Sequence, residues 1–328
     1  VMEKAITYPT DSKLYLKSLQ RPNQQAKAHG IMLRQSYTRT GKRLAIKASR
    51  YAHARQYRRM RRALKQLKGR LGRVVRDIER KTAGWGVLPV ALTHELALAR
   101  RLLAQQPKSR NKLYSLHAPE VECISKGKAH KRYEFGVKVG VVASLRTPFI
   151  LAAHALPGNP YDGHTLAWSL AHTRLNTGVL IKTVVVDKGY RGPRAAWPGA
   201  EVVIPGQRSR DDAHRQQRRK QLRRRSVIEA LIGHMKNDGL LDRNWLKGQA
   251  GDAMHVVLCA AGQNLRLILR AIEAFFARYI LGLQEELPWR GTPPRLWGLD
   301  AFQCDTTIML LPVPLNKSGN HSYFGPTT

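Results

Sequence analysis

The 328-residue chain carries 57 Lys and Arg side chains against 22 Asp and Glu, a formal net charge of +35. Such an excess opposes compaction and implies a polyanionic partner, for which nucleic acid is the leading candidate because phosphate neutralisation supplies most non-specific affinity. An anionic membrane surface is the weaker alternative, since the sequence predicts no long helix with cleanly separated basic and apolar faces.

Secretion and membrane insertion are not indicated. No secretory signal is visible at the start, and three arginines and a glutamate interrupt the most apolar stretch, residues 254–283. That stretch predicts a buried helix rather than a membrane span. The cysteines Cys123, Cys259 and Cys304 are too widely spaced for a disulfide framework or a zinc site, so they are expected to be packing residues in a reducing cytoplasm.

The first hundred residues have the pattern of basic helices. Residues 1–20 are short and mixed, with a turn signal at residues 8–11, whereas residues 23–82 and 90–105 follow helical periodicity. Residues 42–81 hold sixteen Lys and Arg and only two acids. Apolar residues there recur every three to four positions and predict one buried helix face: Leu64, Leu67, Leu71, Val74 and Ile78.

Beyond residue 130 the pattern changes to strands. Residues 133–141 alternate between apolar and polar, which predicts a strand with one buried face. Further strands are predicted at residues 149–156, 180–186 and 201–204, and helices at residues 164–173, 211–237 and 252–281. This order predicts a mixed α/β sheet flanked by helices. The Pro-, Gly- and Trp-rich residues after Leu283 predict an irregular tail.

Asp187 directly follows the predicted strand that ends at Val186, and a Gly turn comes next. Ligands of α/β sheets bind at the carboxyl ends of strands, which makes an acid at this position a reasonable metal ligand. A turn Asp that caps its own backbone explains the position equally well, and this feature alone does not decide between the two.

Glu229 lies on a predicted helix between two cations. Spacings of four and seven place Arg225, Glu229 and Lys236 on one helix face. Taken alone, this pattern favours an ordinary ion pair on a solvated helix. Together with Asp187 it is more informative, because phosphoryl transfer on DNA commonly uses two divalent cations held by a few carboxylates. Flanking Arg and Lys side chains can then hold phosphates.

Both acids lie in segments that resemble the DDE transposases of insertion sequences. The segment Val-Val-Val-Asp-Lys-Gly-Tyr-Arg-Gly at residues 184–192 is similar to their second-Asp motif. Arg225, Glu229 and Lys236 match the third-carboxylate signature Tyr-x2-Arg-x3-Glu-x6-Lys, although Leu222 stands where that signature has Tyr. Further blocks resemble the family in the same order at residues 119–124, 126–130, 133–138, 156–164 and 244–248.

The resemblance implies an α/β fold, an RNase H-like mixed sheet flanked by helices, with a helical basic insertion near the N-terminus. On this basis residues 1–10 are a remnant following the first catalytic strand, and residues 11–112 are the insertion. Residues 113–282 are the RNase H-like catalytic core, and residues 283–328 are the irregular tail, which matches no block of the family.

The resemblance also implies three carboxylates that bind Mg²⁺ or Mn²⁺, with Asp187 and Glu229 as the second and third. The family's first catalytic Asp precedes the segment that resembles residues 1–11, so it is expected to be absent from this chain. Asp11 lies in a predicted turn and is a poor substitute, and Asp162 is expected to cap a helix. The expected DNA contacts are Arg225, Lys236, Lys126, Lys128, Arg191, Arg223 and Arg224.

The leading hypothesis is a bacterial DNA transposase that catalyses metal-dependent phosphodiester hydrolysis and strand transfer at transposon ends. Its partners would be the transposon ends and the target duplex, in the cytoplasm and associated with the nucleoid, with no membrane partner; a homo-oligomer on DNA is compatible with this hypothesis. Without the first Asp the chain is predicted to bind DNA but not to cut it. The alternatives are a non-catalytic DNA-binding transposase remnant, and a ribosomal-type RNA-binding protein, which would explain the charge but not the ordered motifs.

Overall fold

The computed structural model describes residues 1–106, 109, 111–125, 131–190, 197, 199–206, 212–284 and 307–312. The chain divides into two compact units. The helical unit is Lys4–Phe135, and the sheet unit combines Val1–Glu3 with Gly136–Thr328.

The described residues of the helical unit form α1 (Asp11–Ala28), α2 (Thr38–His53), α3 (Tyr57–Lys81) and α4 (Val90–Ala104). Their apolar faces meet in one buried core that includes Leu19, Leu67 and Leu96. The helices predicted at residues 23–82 and 90–105 are present. The mixed segment predicted at residues 1–20 was wrong in its second half, because the Thr10 hydroxyl accepts a hydrogen bond from the Lys13 amide and starts α1 at Asp11.

Helix α3 has cleanly separated faces, which corrects the expectation that no helix of the chain would. Ala63, Leu67, Leu71, Val74 and Ile78 are buried along one side. The opposite side is exposed and consists mainly of arginine and lysine. The apolar spacing predicted for this segment is therefore the face that packs into the core of the helical unit.

A mixed sheet organises the sheet unit. Its strands are β1 (Met2–Lys4), β3 (Tyr133–Ser144), β4 (Ile150–Leu156), β5 (Thr183–Val186), β6 (Glu201–Val203), β7 (Arg243–Asn244) and β8 (Thr307–Pro312), whereas β2 (Glu122–Ser125) belongs to the helical unit. They lie in the order β6-β5-β8-β3-β1-β7, and β4 also pairs with β3. The helices are α5 (Asp162–Thr177), α6 (Asp212–Asn237) and α7 (Gly248–Gln284), and a short 3-10 turn covers Lys188–Tyr190. The predicted strands and helices of this unit are present, with β5 shorter than expected. The single buried face predicted for residues 133–141 was wrong, because β3 is buried on both faces and Glu134 is only 2% exposed.

Helices pack on both faces of this sheet because successive strand residues point to opposite sides. In β5, Val184 and Val186 pack in a cluster with Leu166 of α5. Val185, between them, packs on the other face with Ile228 of α6 and residues of α7. Because side chains alternate along β5, residue 187 points to the same side as Val185, which is the side covered by α6.

The prediction of an irregular tail was wrong at residues 307–312. Strand β8 lies between β3 and β5, antiparallel to the first and parallel to the second. Its Ile-Met-Leu-Leu run is short and follows no period of its own, and both partner strands lie more than a hundred positions earlier in the chain. Local pattern therefore does not reveal this strand.

The helix predicted at residues 252–281 is present as α7, but the prediction that residues 254–283 are a buried helix was wrong over much of its described part. Val256, Cys259, Ala260 and Gln263 are buried, but apolar side chains on its other side are exposed, among them Leu258, Leu265, Ile272 and Phe275. Within the described part of the chain, no helix is both long enough and apolar enough to cross a bilayer.

Candidate active site

Asp187 follows the last residue of β5 and opens the 3-10 turn. Its Oδ1 accepts a hydrogen bond from the Lys188 amide at 2.7 Å, and its carbonyl accepts one from the Tyr190 amide at 3.1 Å. The turn-capping role considered for this residue is therefore present. The carboxylate remains 43% exposed, so it is also open to a ligand.

Glu229 lies on α6, beside Ile228, whose side chain packs into the core between α6 and the sheet. The structure brings Glu229 and Asp187 onto one guanidinium group. Arg225 donates from Nη1 to Asp187 Oδ1 at 3.0 Å and from Nη2 to Glu229 Oε1 at 3.2 Å. The i,i+4 ion pair considered for Arg225 and Glu229 exists, and the same arginine ties that pair to the end of β5.

The two carboxylates of this cluster suit a hard divalent cation, whereas the arginine between them competes with it. Asp187 and Glu229 offer carboxylate oxygens, the ligands that Mg²⁺ prefers, and Glu229 is 54% exposed. Arg225 neutralises both, so a metal ion must compete with its guanidinium for the same oxygens. Among the described residues no three His, Cys, Asp or Glu side chains are grouped closely enough to hold a metal ion. The described part of the chain thus contributes two candidate ligands.

The strand beside β5 adds no acid to this cluster. Val186 pairs with Leu310 of β8, so the residue of β8 next in register to Asp187 is Leu311. The sequence of β8 is Thr-Ile-Met-Leu-Leu-Pro, which contains no carboxylate.

A second polar cluster supports the turn after Asp187, and sequence reasoning missed it. Asp162 does not cap α5, as was expected; Tyr161 occupies the N-cap position, and Asp162 forms an ion pair with Lys138 of β3. Lys138 also donates to the Pro160 carbonyl at 2.7 Å. Asp162 Oδ2 lies so close to Gly189 that a methyl group there would be 2.6 Å away.

Tyr190 completes this support. It is 1% exposed, and burial, followed by the negative charges of Asp162 and then Asp187, raises the pKa of its hydroxyl. The side chain therefore anchors the turn as a neutral group. Residues 156–164 and 184–192 were separate blocks in the sequence, and the structure brings them into contact at Asp162 and Gly189. Each block contains two Gly and one Asp, and nothing in their spacing indicates that the blocks meet.

The other predicted DNA contacts fall into three groups. Arg223 and Arg224 are exposed on α6, and Arg224 donates to the Leu145 carbonyl at 3.4 Å. Lys236 is buried, at 8% exposed, which does not favour the predicted phosphate contact. Lys126, Lys128 and Arg191 lie outside the described residues.

Comparison with known proteins shows what the region around this cluster is similar to. Residues 107–265 match the family model described as "Transposase DDE domain". A curated protein of Rhizobium meliloti, "Uncharacterized protein ORF8 in nfe locus", is 65% identical over 57 residues, which are 17% of this chain and 28% of that protein. This chain therefore aligns with well under half of that relative's length. No solved structure matches the chain significantly.

Proposed function

Because residues 107–265 match a transposase DDE domain, we propose that the chain belongs to the machinery that cuts and joins transposon DNA. In this reaction a water or a DNA 3′-hydroxyl attacks a phosphodiester at a transposon end. The observation that carries the proposal is the convergence of Asp187 and Glu229 on Arg225. The mixed sheet, with β5 parallel and β3 antiparallel to the strand between them, supports an RNase H-like assignment.

In this proposal Asp187 and Glu229 hold Mg²⁺ or Mn²⁺. A bound divalent cation would activate the attacking oxygen and stabilise the leaving one. The chain's own residues prepare the position: β5 and the turn held by Asp162 orient Asp187, and α6 orients Glu229. Arg225 keeps the two carboxylates together and partly neutralised, and its guanidinium is available to a phosphate when a cation takes its place.

This chain by itself is proposed to bind DNA without cutting it. Two carboxylates hold a cation loosely, and in-line attack needs charge stabilisation and positioning that supply many kcal/mol. The absence of an acid from β8 favours this reading. It also favours the second candidate function, a non-catalytic DNA-binding transposase remnant.

The proposed partners are transposon ends and target duplex in the bacterial nucleoid, contacted near the site by Arg223 and Arg224. A homo-oligomer is proposed to form through α7. Its exposed residues follow the alternating four-three spacing of a coiled-coil seam: Met254, Leu258, Ala261, Leu265, Ile268, Ile272, Phe275 and Tyr279. A second copy of the same helix supplies a matching face.

Metal binding tests the site without relying on catalysis. Titration of Mn²⁺, followed by the EPR signal of the free ion, should show binding that falls more than about tenfold in Asp187→Asn and Glu229→Gln. Arg225→Gln should bind Mn²⁺ more tightly because the competing cation is gone. Arg224→Gln, one position earlier on the same helix, is the matched control. Equal affinity in wild type and Asp187→Asn would remove the site assignment.

Nicking of a supercoiled plasmid that carries transposon ends tests activity. The expected result with Mg²⁺ or Mn²⁺ is DNA binding without nicks. Nicking by this chain that disappears in Asp187→Asn would disprove the proposed inactivity and show that another acid completes the site. Asp162 would then be the first to substitute, because it lies against the same turn.

A further inference from the structure

The exposed face of α3 carries a row of cations that form no ion pair within the part of the chain that the structure describes. Relative to Arg58, the residues at 62, 65, 69, 73 and 76 fall within one narrow stripe at 100° per residue, opposite the buried face. Arg58, Arg62, Lys65, Arg73 and Arg76 are exposed, and Gly69 occupies the middle. We call these five cations the α3 stripe.

The sequence that leads up to and through this stripe contains no acid that could neutralise it. Residues 12–76 hold twenty Lys and Arg and no Asp or Glu. The two acids of α3 lie at its end and are occupied elsewhere: Asp77 is buried and paired with Arg80 and Lys81, and Glu79 is paired with Arg100 at 2.7 Å. Like charges one helical turn apart destabilise a helix by a few tenths of a kcal/mol per pair. The stripe is therefore a net cost to folding that an external anion would remove.

We propose that the α3 stripe is a binding surface for the phosphate backbone of duplex DNA. It lies in the helical unit, outside residues 107–265, and it deepens the proposed function by naming a DNA contact separate from the carboxylates. At about 1.5 Å per residue the stripe is roughly 27 Å long. Duplex DNA presents one phosphate charge per ~1.7 Å of axis, so a straight row of this length spans many phosphates.

The composition of the stripe selects this partner over other polyanions. A membrane-surface helix inserts its apolar face into lipid, but the apolar face of α3 is packed in the core of the helical unit. Single-stranded nucleic acid is held by aromatic side chains on which bases stack, and no aromatic residue lies in the stripe. The Arg and Lys side chains of the stripe suit contacts with phosphates, which carry no sequence information. We therefore expect the stripe to bind duplex DNA without sequence preference.

The test measures binding to a labelled duplex of arbitrary sequence in EDTA, where metal chemistry plays no part. The triple variant Arg62→Gln, Lys65→Gln, Arg76→Gln is expected to bind at least tenfold more weakly. Its log–log salt slope should fall by about 2 to 3, since each phosphate contact contributes ~0.9. A control triple that removes the same charge from exposed positions of the sheet unit, Arg174→Gln, Lys182→Gln, Arg270→Gln, should change the slope by less than one.

Gly69 provides a second, milder comparison. Its position has open space within 4 Å, so a side chain fits without disturbing the fold. Gly69→Glu should weaken DNA binding several-fold, whereas Gly69→Gln, with the same shape and no charge, should not. Equal losses in the stripe and control triples, or equal binding by the two Gly69 variants, would overturn the proposal. Tighter binding to phosphatidylserine vesicles or single-stranded RNA than to duplex DNA would also overturn it. Failure to bind Mn²⁺ would instead contradict the proposed metal site at Asp187 and Glu229 and would leave the α3 stripe standing.

Discussion

Replacing Gly189 with alanine tests the link between the Asp162 cluster and the turn that carries Asp187. The backbone at Gly189 is not in the left-handed region, so alanine meets no conformational barrier there. The added methyl would instead lie 2.6 Å from Asp162 Oδ2, well inside normal contact distance. Asp162 cannot swing away freely, because it is paired with Lys138 and both side chains are largely covered, at 21% and 14% exposed. Overpacking of this kind costs about 1 to 3 kcal/mol of unfolding free energy.

A double-mutant cycle isolates that contact. Guanidinium unfolding is measured for wild type, Gly189→Ala, Asp162→Ala and the double variant. Once the carboxylate is removed, Gly189→Ala should be neutral or stabilising by about 0.4 to 1 kcal/mol, because alanine restricts the unfolded chain. The two sites should therefore couple by roughly 1 to 3 kcal/mol.

The cycle also has a functional readout. If the clash shifts the turn, Gly189→Ala should weaken Mn²⁺ binding in the presence of Asp162 but less so in its absence. An identical loss of stability from Gly189→Ala in both backgrounds would refute the argument, since the methyl would then be meeting something other than the carboxylate.

Three further perturbations address other parts of the molecule. Leu71 of α3 is 0% exposed, so Leu71→Ala should lower the free energy of unfolding by about 2 to 5 kcal/mol. The measurement is the denaturation midpoint of the helical unit, and a loss below about 1 kcal/mol would mean that this face is not packed. Burial, reinforced by the charge of His172, lowers the pKa of His154 to about 4, so the unfolded chain binds the extra proton first. The contribution of neutral His154 to the free energy of unfolding should be complete above pH 6.5 and should fall by up to about 3 kcal/mol as the pH drops towards 4. Unfolding curves of His154→Gln should lack this pH dependence. Ile272→Gln should convert the α7-mediated oligomer to monomer in light scattering, whereas Arg270→Gln, off the seam, should not; a wild-type monomer at all concentrations would exclude this interface.

Much of the fold could be predicted because its patterns are local. The alternation at residues 133–141 and the helical spacing in α3 each lie within one element, and each element is present. Strand β8 could not be predicted, because what makes it a strand is pairing with β3 and β5, which lie far away in sequence. The exposure of α7 was missed for a related reason: hydropathy shows that a helix is apolar, not whether the chain folds back to cover it.

The same distinction between local and long-range signals applies to the candidate site. Asp187 and Glu229 could be selected as a pair through family resemblance and strand-end position, and strand parity explains why they meet on one face. The role of Asp162 depends on Lys138, 24 positions earlier on another element, and on the absence of a side chain at Gly189. Nothing in the spacing of residues 159–164 distinguishes such a contact from the helix cap that was expected.

The place of β8 in the sheet has a consequence for biosynthesis. Its two partner strands are made first, and roughly 120 residues separate β5 from β8, which takes a ribosome about 6 to 24 s at 5 to 20 residues per second. Throughout that interval β3 and β5 have unfilled hydrogen-bonding edges in the middle of the future sheet. The sheet unit therefore closes only after β8 has been made, and until then the nascent chain depends on chaperones to avoid pairing those edges with another chain. A stop codon shortly before Thr307, although far from Asp187 and Glu229 in sequence, should yield an aggregating product rather than a slightly shortened one.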